Sequence, residues 1–157
     1  MSLFQFEQEF ADSLRCIPMS VRLKLDVCGI KLKLHQWGRF SIQQKQQCVN
    51  WPFQTPQDIE QFGSYLRQVI RSTCHEEATE IPPDPQPEWQ NTDGIPVSVQ
   101  QKAEELGIQI TLDFWKNLQD LQRFALIKLS RSNHENKNFL PALQELGLKP
   151  KSLNGNG

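Results

Sequence analysis

The chain has 157 residues, with 17 Lys and Arg against 18 Asp and Glu and a formal net charge of −1. That balance excludes the long-range attraction to nucleic acid or to an anionic membrane that a basic chain would exert, while the length suffices for one domain with a real core. No apolar run approaches the ~20 residues of a bilayer span, and Met1-Ser2-Leu3-Phe4-Gln5-Phe6-Glu7 carries no signal pattern, so a cytoplasmic protein is expected.

In chain order, an N-terminal helix bearing Phe6, Phe10 and Leu14 is predicted first. The stretch Met19, Val21, Leu23, Leu25, Val27 alternates like a half-buried strand, but an internal repeat decides against that reading. Ile17-Pro18-Met19-Ser20-Val21 and Ile95-Pro96-Val97-Ser98-Val99 stand 78 positions apart, and the same offset pairs Lys24 with Lys102, Gly29-Ile30 with Gly107-Ile108, Leu34 with Leu112 and Trp37 with Trp115. Residues 97–106, rich in Gln, Lys, Ala and Glu, are strong helix formers. Both copies are therefore predicted as a helix that starts at a proline and ends at a glycine able to take the left-handed cap, with an isoleucine covering the last turn.

After each cap comes a short alternating piece, Ile30-Lys31-Leu32-Lys33-Leu34 or Ile108-Gln109-Ile110-Thr111-Leu112; pairing of these two as a minimal ribbon is disfavoured, because strands so short gain little by themselves. A tryptophan helix follows. In the second copy Trp115, Leu118, Leu121, Ala125 and Leu129 predict one long helix at the centre of the fold; in the first the helix is shorter and stops before Trp51-Pro52-Phe53. Thr55-Pro56-Gln57-Asp58 then opens a helix with the stripe Ile59, Phe62, Leu66, Val69, Ile70, and Phe139, Leu140, Leu143 and Leu146 form a last helix closed by Gly147.

The expected fold class is all-α: a compact helical domain of two tandem pseudo-equivalent helical units, one spanning 17–74 and the other 95–148, allowing one minimal two-stranded ribbon. A stiff proline-rich linker, 81–87, joins them, and the tail, 149–157, is expected to fray.

No phosphate loop, His-Glu-x-x-His pair or nucleophile elbow is present. The three histidines, His35, His75 and His134, are not spaced as a ligand pair, and the four cysteines, Cys16, Cys28, Cys48 and Cys74, contain no Cys-x-x-Cys. They read as reduced, mostly buried thiols. Cys74-His75-Glu76-Glu77 reads as a solvated helix end, because adjacent helical residues point in different directions. Neither a catalytic centre nor a cofactor site is expected, so function is sought in contact with another protein.

The densest polar feature lies in the second copy alone, from Lys128-Leu129-Ser130-Arg131-Ser132-Asn133 through His134-Glu135-Asn136-Lys137-Asn138. Some of its asparagines and serines are accounted for as caps of a helix-to-helix turn, but its combined charges suit recognition by a loop on a rigid scaffold. The candidate partner-binding residues are Arg123, Lys128, Arg131, His134, Glu135, Asn136, Lys137 and Asn138. A helix-turn-helix with residues 96–106 as first helix is also permitted, though Glu104-Glu105 and the neutral charge oppose DNA binding.

Three strings carry a family resemblance: Ser13-Leu14-Arg15-Cys16-Ile17-Pro18-Met19; Lys24-Leu25-Asp26 with Cys28-Gly29-Ile30-Lys31-Leu32; and Gln122-Arg123-Phe124-Ala125-Leu126-Ile127-Lys128-Leu129-Ser130-Arg131 running on to His134-Glu135-Asn136-Lys137-Asn138-Phe139-Leu140-Pro141-Ala142. In these the chain resembles the nitrate reductase associated proteins. The resemblance implies a non-enzymatic companion of the cyanobacterial-type, ferredoxin-dependent assimilatory nitrate reductase that binds it and supports its activity or maturation. It brings no catalytic residues with it. Two other functions stay open at this point: a carrier or insertion factor for the enzyme's molybdopterin or iron–sulfur centre, through Cys16 and Cys28 or the basic loop, and a helix-turn-helix regulator.

Overall fold

The computed structural model describes Phe4, Glu7, residues 14–132 and residues 136–148. The all-α expectation holds: among the described residues there are eight helices and one two-stranded ribbon. The chain divides into two compact units, Met1–Pro85 and Gln86–Gly157, with the division inside the proline-rich stretch. Phe6, Phe10 and the tail 149–157 lie outside the described residues; Leu14 is buried with a non-helical φ of 47°.

The first unit opens with α1 (Met19–Cys28). Pro18 sits at its N-cap rather than inside the first turn, its carbonyl accepting from the amides of Val21 and Arg22, while the free amide of Met19 donates to the Glu7 carboxylate at 2.9 Å. Gly29 ends the helix in the left-handed region, φ 77°, as expected. The chain then forms β1 (Ile30–Lys31), α2 (Leu34–Arg39), α3 (Ile42–Asn50), α4 (Pro56–Cys74) and β2 (Thr79–Glu80). Thr55 caps α4 by accepting from the Asp58 amide, and the Asp58 carboxylate accepts in turn from the Thr55 amide, completing a capping box.

The one minimal ribbon that the expected fold class allows is present, and it does not join the two alternating pieces. Ile30 pairs with Glu80 and Lys31 with Thr79, antiparallel, and residues 108–110 form no strand. A ribbon this short takes its stability from its surroundings. Here the Ile81 amide donates to the Gly29 carbonyl at 2.9 Å, laying the chain directly over the helix cap.

The core of this unit gathers Trp37, Phe62, Leu66 and Ile70 with Val21, Ile30 and Cys48, all essentially inaccessible. Trp37 satisfies its indole by donating to the Leu14 carbonyl at 2.7 Å. Lys24 is buried as completely as these apolar residues, and its Nζ donates to the carbonyls of Cys48 (2.8 Å), Val49 (2.9 Å) and Trp51 (2.9 Å). Those are orphan acceptors around the end of α3, so one ammonium supplies the three donors that the helix lacks.

The second unit starts with a 3-10 turn, Glu88–Gln90, followed by α5 (Val97–Glu105), α6 (Leu112–Lys116), α7 (Asp120–Arg131), a 3-10 turn at Asn136–Asn138 and α8 (Phe139–Glu145). Pro96 occupies the N-cap of α5; Gly107 takes φ 72°, and the Ile108 amide reaches back to the Ala103 carbonyl at 2.9 Å, with Ile108 buried over the last turn as expected. Trp115, Phe124, Leu126, Leu129, Phe139 and Leu143 make the core.

The long tryptophan helix predicted here is in fact two. It breaks after Lys116 and restarts at Asp120, where Gln119 and Gln122 exchange side-chain and backbone bonds in a capping box. In the first unit the break between α2 and α3 carries the same device, built from Ser41 and Gln44. The two boxes stand at the 78-residue offset that the sequence shows.

Candidate interaction site

The candidate residues lie on α7 and the turn after it, and they separate into distinct roles. Arg123 is 5 % exposed. Its Nε donates to the Trp89 carbonyl at 2.6 Å, its Nη1 to the carbonyls of Trp115 and Leu118, and its Nη2 to the Asp120 carboxylate. Four donors of the planar guanidinium are used inside the unit, tying the first 3-10 turn and the α6–α7 corner to one side chain. Arg123 thus ties α7 to the segments around it, with little of its side chain at the surface. The sequence could have hinted at this, since Arg123 falls between Trp115 and Leu126 on the apolar side, but a charged residue there reads by default as solvated.

Arg131 is the outward-facing counterpart. Its Nη1 and Nη2 donate to the two Glu88 oxygens, each at 2.9 Å, and its Nε donates to the Ser98 hydroxyl at 3.1 Å. Ser98 also receives the Ser130 hydroxyl at 3.1 Å. The bidentate bond to Arg131 holds the Glu88 carboxyl below the usual carboxylate range and raises Arg131 in turn. With both side chains about half exposed, the pair is a surface fork whose own contribution to stability is small. Neither Glu88, which the sequence places at the linker exit, nor Ser98 was among the predicted site residues.

Lys128 is exposed, its ammonium 5.4 Å from the Phe124 ring centre. Lys137 is exposed in the second 3-10 turn, which also contains Asn136; Asn138 stands at the N-cap of α8 without making a side-chain cap bond. His134 and Glu135 lie outside the described residues. Lys128 and Arg131 stand in the last turn of α7, where positive charge complements the helix dipole, and Lys137 lies in a 3-10 turn that packs against the same helix.

The thiols divide by environment. Cys16 is exposed, Cys28 half-buried, and Cys48 and Cys74 buried, all free. Burial pushes the Cys28 thiol up to about 11 and Cys48 up to about 12, so both are neutral at physiological pH. Among the described residues no group of three or more His, Cys, Asp and Glu is placed to hold a metal ion. None of the described helices is long and apolar enough to cross a membrane. At the end of α4, Cys74 turns inward while Glu76 accepts from Gln36 at 2.8 Å and Glu77 from Arg71, as fits a helix end rather than a thiolate with its base.

The sequence model of one protein family, described as conserved nitrate reductase-associated protein, matches residues 3–146 of the chain. Neither the curated proteins nor the solved structures returned a match.

Proposed function

The chain belongs to the nitrate reductase-associated protein family, and on that premise we propose that it is a non-enzymatic accessory protein. It binds assimilatory, ferredoxin-dependent nitrate reductase and supports that enzyme's activity or maturation. The observation that carries the reading is the extent of the family match, residues 3–146, which leaves only short ends unaccounted for.

The surface best suited to the contact is the end of α7, where Lys128, Arg131 and Lys137 are exposed and a carboxylate from the enzyme can form charge-assisted bonds. Arg131 is pre-oriented there by Glu88 and Ser98. Arg123, buried beneath, keeps the helix in place.

The test replaces Lys128, Arg131 and Lys137 together with alanine and leaves Arg123 untouched. A folded variant should lose at least tenfold in reductase recovered with it, and cells carrying it should grow poorly on nitrate yet normally on ammonium. Undiminished recovery would show that the enzyme contacts another surface.

A further inference from the structure

Beside α4 in the first unit lies an open groove of about 520 Å³ whose lining includes none of the candidate partner-binding residues. Its floor is a stacked pair, Trp51 and Tyr65, ring centres 4.9 Å apart and planes inclined by 28°. Both rings are only half buried. One wall is a row of uncharged polar side chains, Gln57, Gln61, Ser64 and Gln68, spaced at i, i+4, i+7 and i+11 on a single face of the helix. All four are exposed, and none bonds to another group among the described residues. The only charge in the lining is Glu60.

The aromatic pair is held rigidly. The Trp51 carbonyl accepts from buried Lys24 at 2.9 Å, its indole Nε1 donates to the Asp58 carbonyl at 3.3 Å, and its ring leans on Phe62 with centres 6.0 Å apart. Both rings pack on one side against the buried core and are left partly exposed on the other. The residues 78 positions on, Leu129 and Leu143, are leucines with no exposure at all. At those two positions the second unit has buried leucines, whereas the first has two partly exposed rings beside a row of side-chain amides.

The geometry points to a docking groove for an extended, proline-bearing peptide segment of a partner protein, with a basic residue directed at Glu60. A polyproline II segment offers flat ring faces to aromatic side chains and leaves its carbonyls free to accept from amide donors. The lengths agree: the row from Gln57 to Gln68 covers about 16 Å at the helical rise, and five polyproline II residues cover about 15 Å. A neutral wall with a single acid favours one Lys or Arg in the ligand and disfavours an acidic peptide. The inference does not depend on which protein supplies the segment.

The probe is the acetylated, amidated peptide Pro-Pro-Pro-Pro-Arg, titrated into the full-length protein and followed by proton–nitrogen NMR. The control is Ser-Gly-Ser-Gly-Arg. Binding by the proline peptide should shift the Trp51 indole and the side-chain amides of Gln61 and Gln68, saturating below about 1 mM, a weak affinity usual for a short flexible ligand. Tyr65→Leu, which installs the residue type found 78 positions on, and Gln61→Ala should each weaken it at least fivefold while leaving the spectrum of a folded protein. Four results would overturn the inference: no shifts at several millimolar, equal shifts with the control, shifts unchanged in both variants, or peptide-free shifts that grow with protein concentration, which would make a second copy the occupant.

Discussion

Replacing Gly29 and Gly107 by alanine, one at a time, separates two demands that the sequence makes look identical. Both glycines end a helix in the left-handed region, at φ 77° and φ 72°. For alanine that conformation costs roughly 1–2 kcal/mol, partly offset by the ~0.4–1 kcal/mol that a methyl group gains through the unfolded chain. Gly107 pays nothing more, since a Cβ there meets no atom within 4 Å. At Gly29 a Cβ would lie 2.6 Å from the Ile81 carbonyl oxygen and 3.1 Å from Pro83 Cγ. Relief means moving the chain that the Ile81–Gly29 bond and the ribbon hold in place, an overpacking cost of about 1–3 kcal/mol with a hydrogen bond of about 1 kcal/mol at risk. Gly107→Ala should therefore lose about 1 kcal/mol and Gly29→Ala about 3 kcal/mol. Native-state hydrogen exchange reads each unit through its own amides, those of α1 and α5. Equal losses in the two variants would refute the idea that the ribbon presses on the first cap.

Three further outcomes are expected. Burial lowers the Lys24 ammonium to about 8 against its ordinary 10.5, with the neighbouring Cys48 acting weakly the other way. Between those values the unfolded chain binds the proton and the folded one does not, so the Lys24 contribution to stability should rise with pH from about 8 to 10.5, against the opposite contribution of the raised Cys28 and Cys48 thiols, and it should be read in urea unfolding as the pH-dependent difference between the native chain and Lys24→Met. Arg123→Lys keeps the charge but cannot reach four acceptors on three elements; it should cost about 2–4 kcal/mol in urea unfolding, far more than Arg131→Lys, which loses a surface fork. Iodoacetamide at pH 8, followed by peptide mass spectrometry, should label exposed Cys16 well before Cys28, with Cys48 last; prior labelling of Cys48 would contradict its burial.

The sequence discloses what is local. Pro18 and Pro96, Gly29 and Gly107, and Thr55 are start and stop signals whose chemistry acts within four residues; the two glycines and Thr55 stand where predicted, and the prolines stand one position earlier, at the N-caps. The break before α7 escapes because the apolar spacing from Trp115 to Leu129 continues through it, and glutamine at position 119 lacks the Ser or Thr signature of a cap. The matching Ser41-x-x-Gln44 box carries that signature and, at the offset of 78, points to the second break. Thr79–Glu80 has no strand pattern of its own and becomes one through contact with Ile30–Lys31. At the candidate site Arg131 and Lys137 emerge on the surface as their charges suggest, whereas Arg123 is drawn inward by carbonyls contributed from distant residues, an arrangement that periodicity cannot reveal.

The most direct measurement is affinity recovery of the tagged full-length chain from cells growing on nitrate, with the recovered proteins identified by mass spectrometry. The accessory role predicts nitrate reductase among them in amounts well above a tag-only control, falling sharply when Lys128, Arg131 and Lys137 are replaced. Recovery that never contains the reductase, even after mild crosslinking of cells that depend on this protein for growth on nitrate, would contradict it.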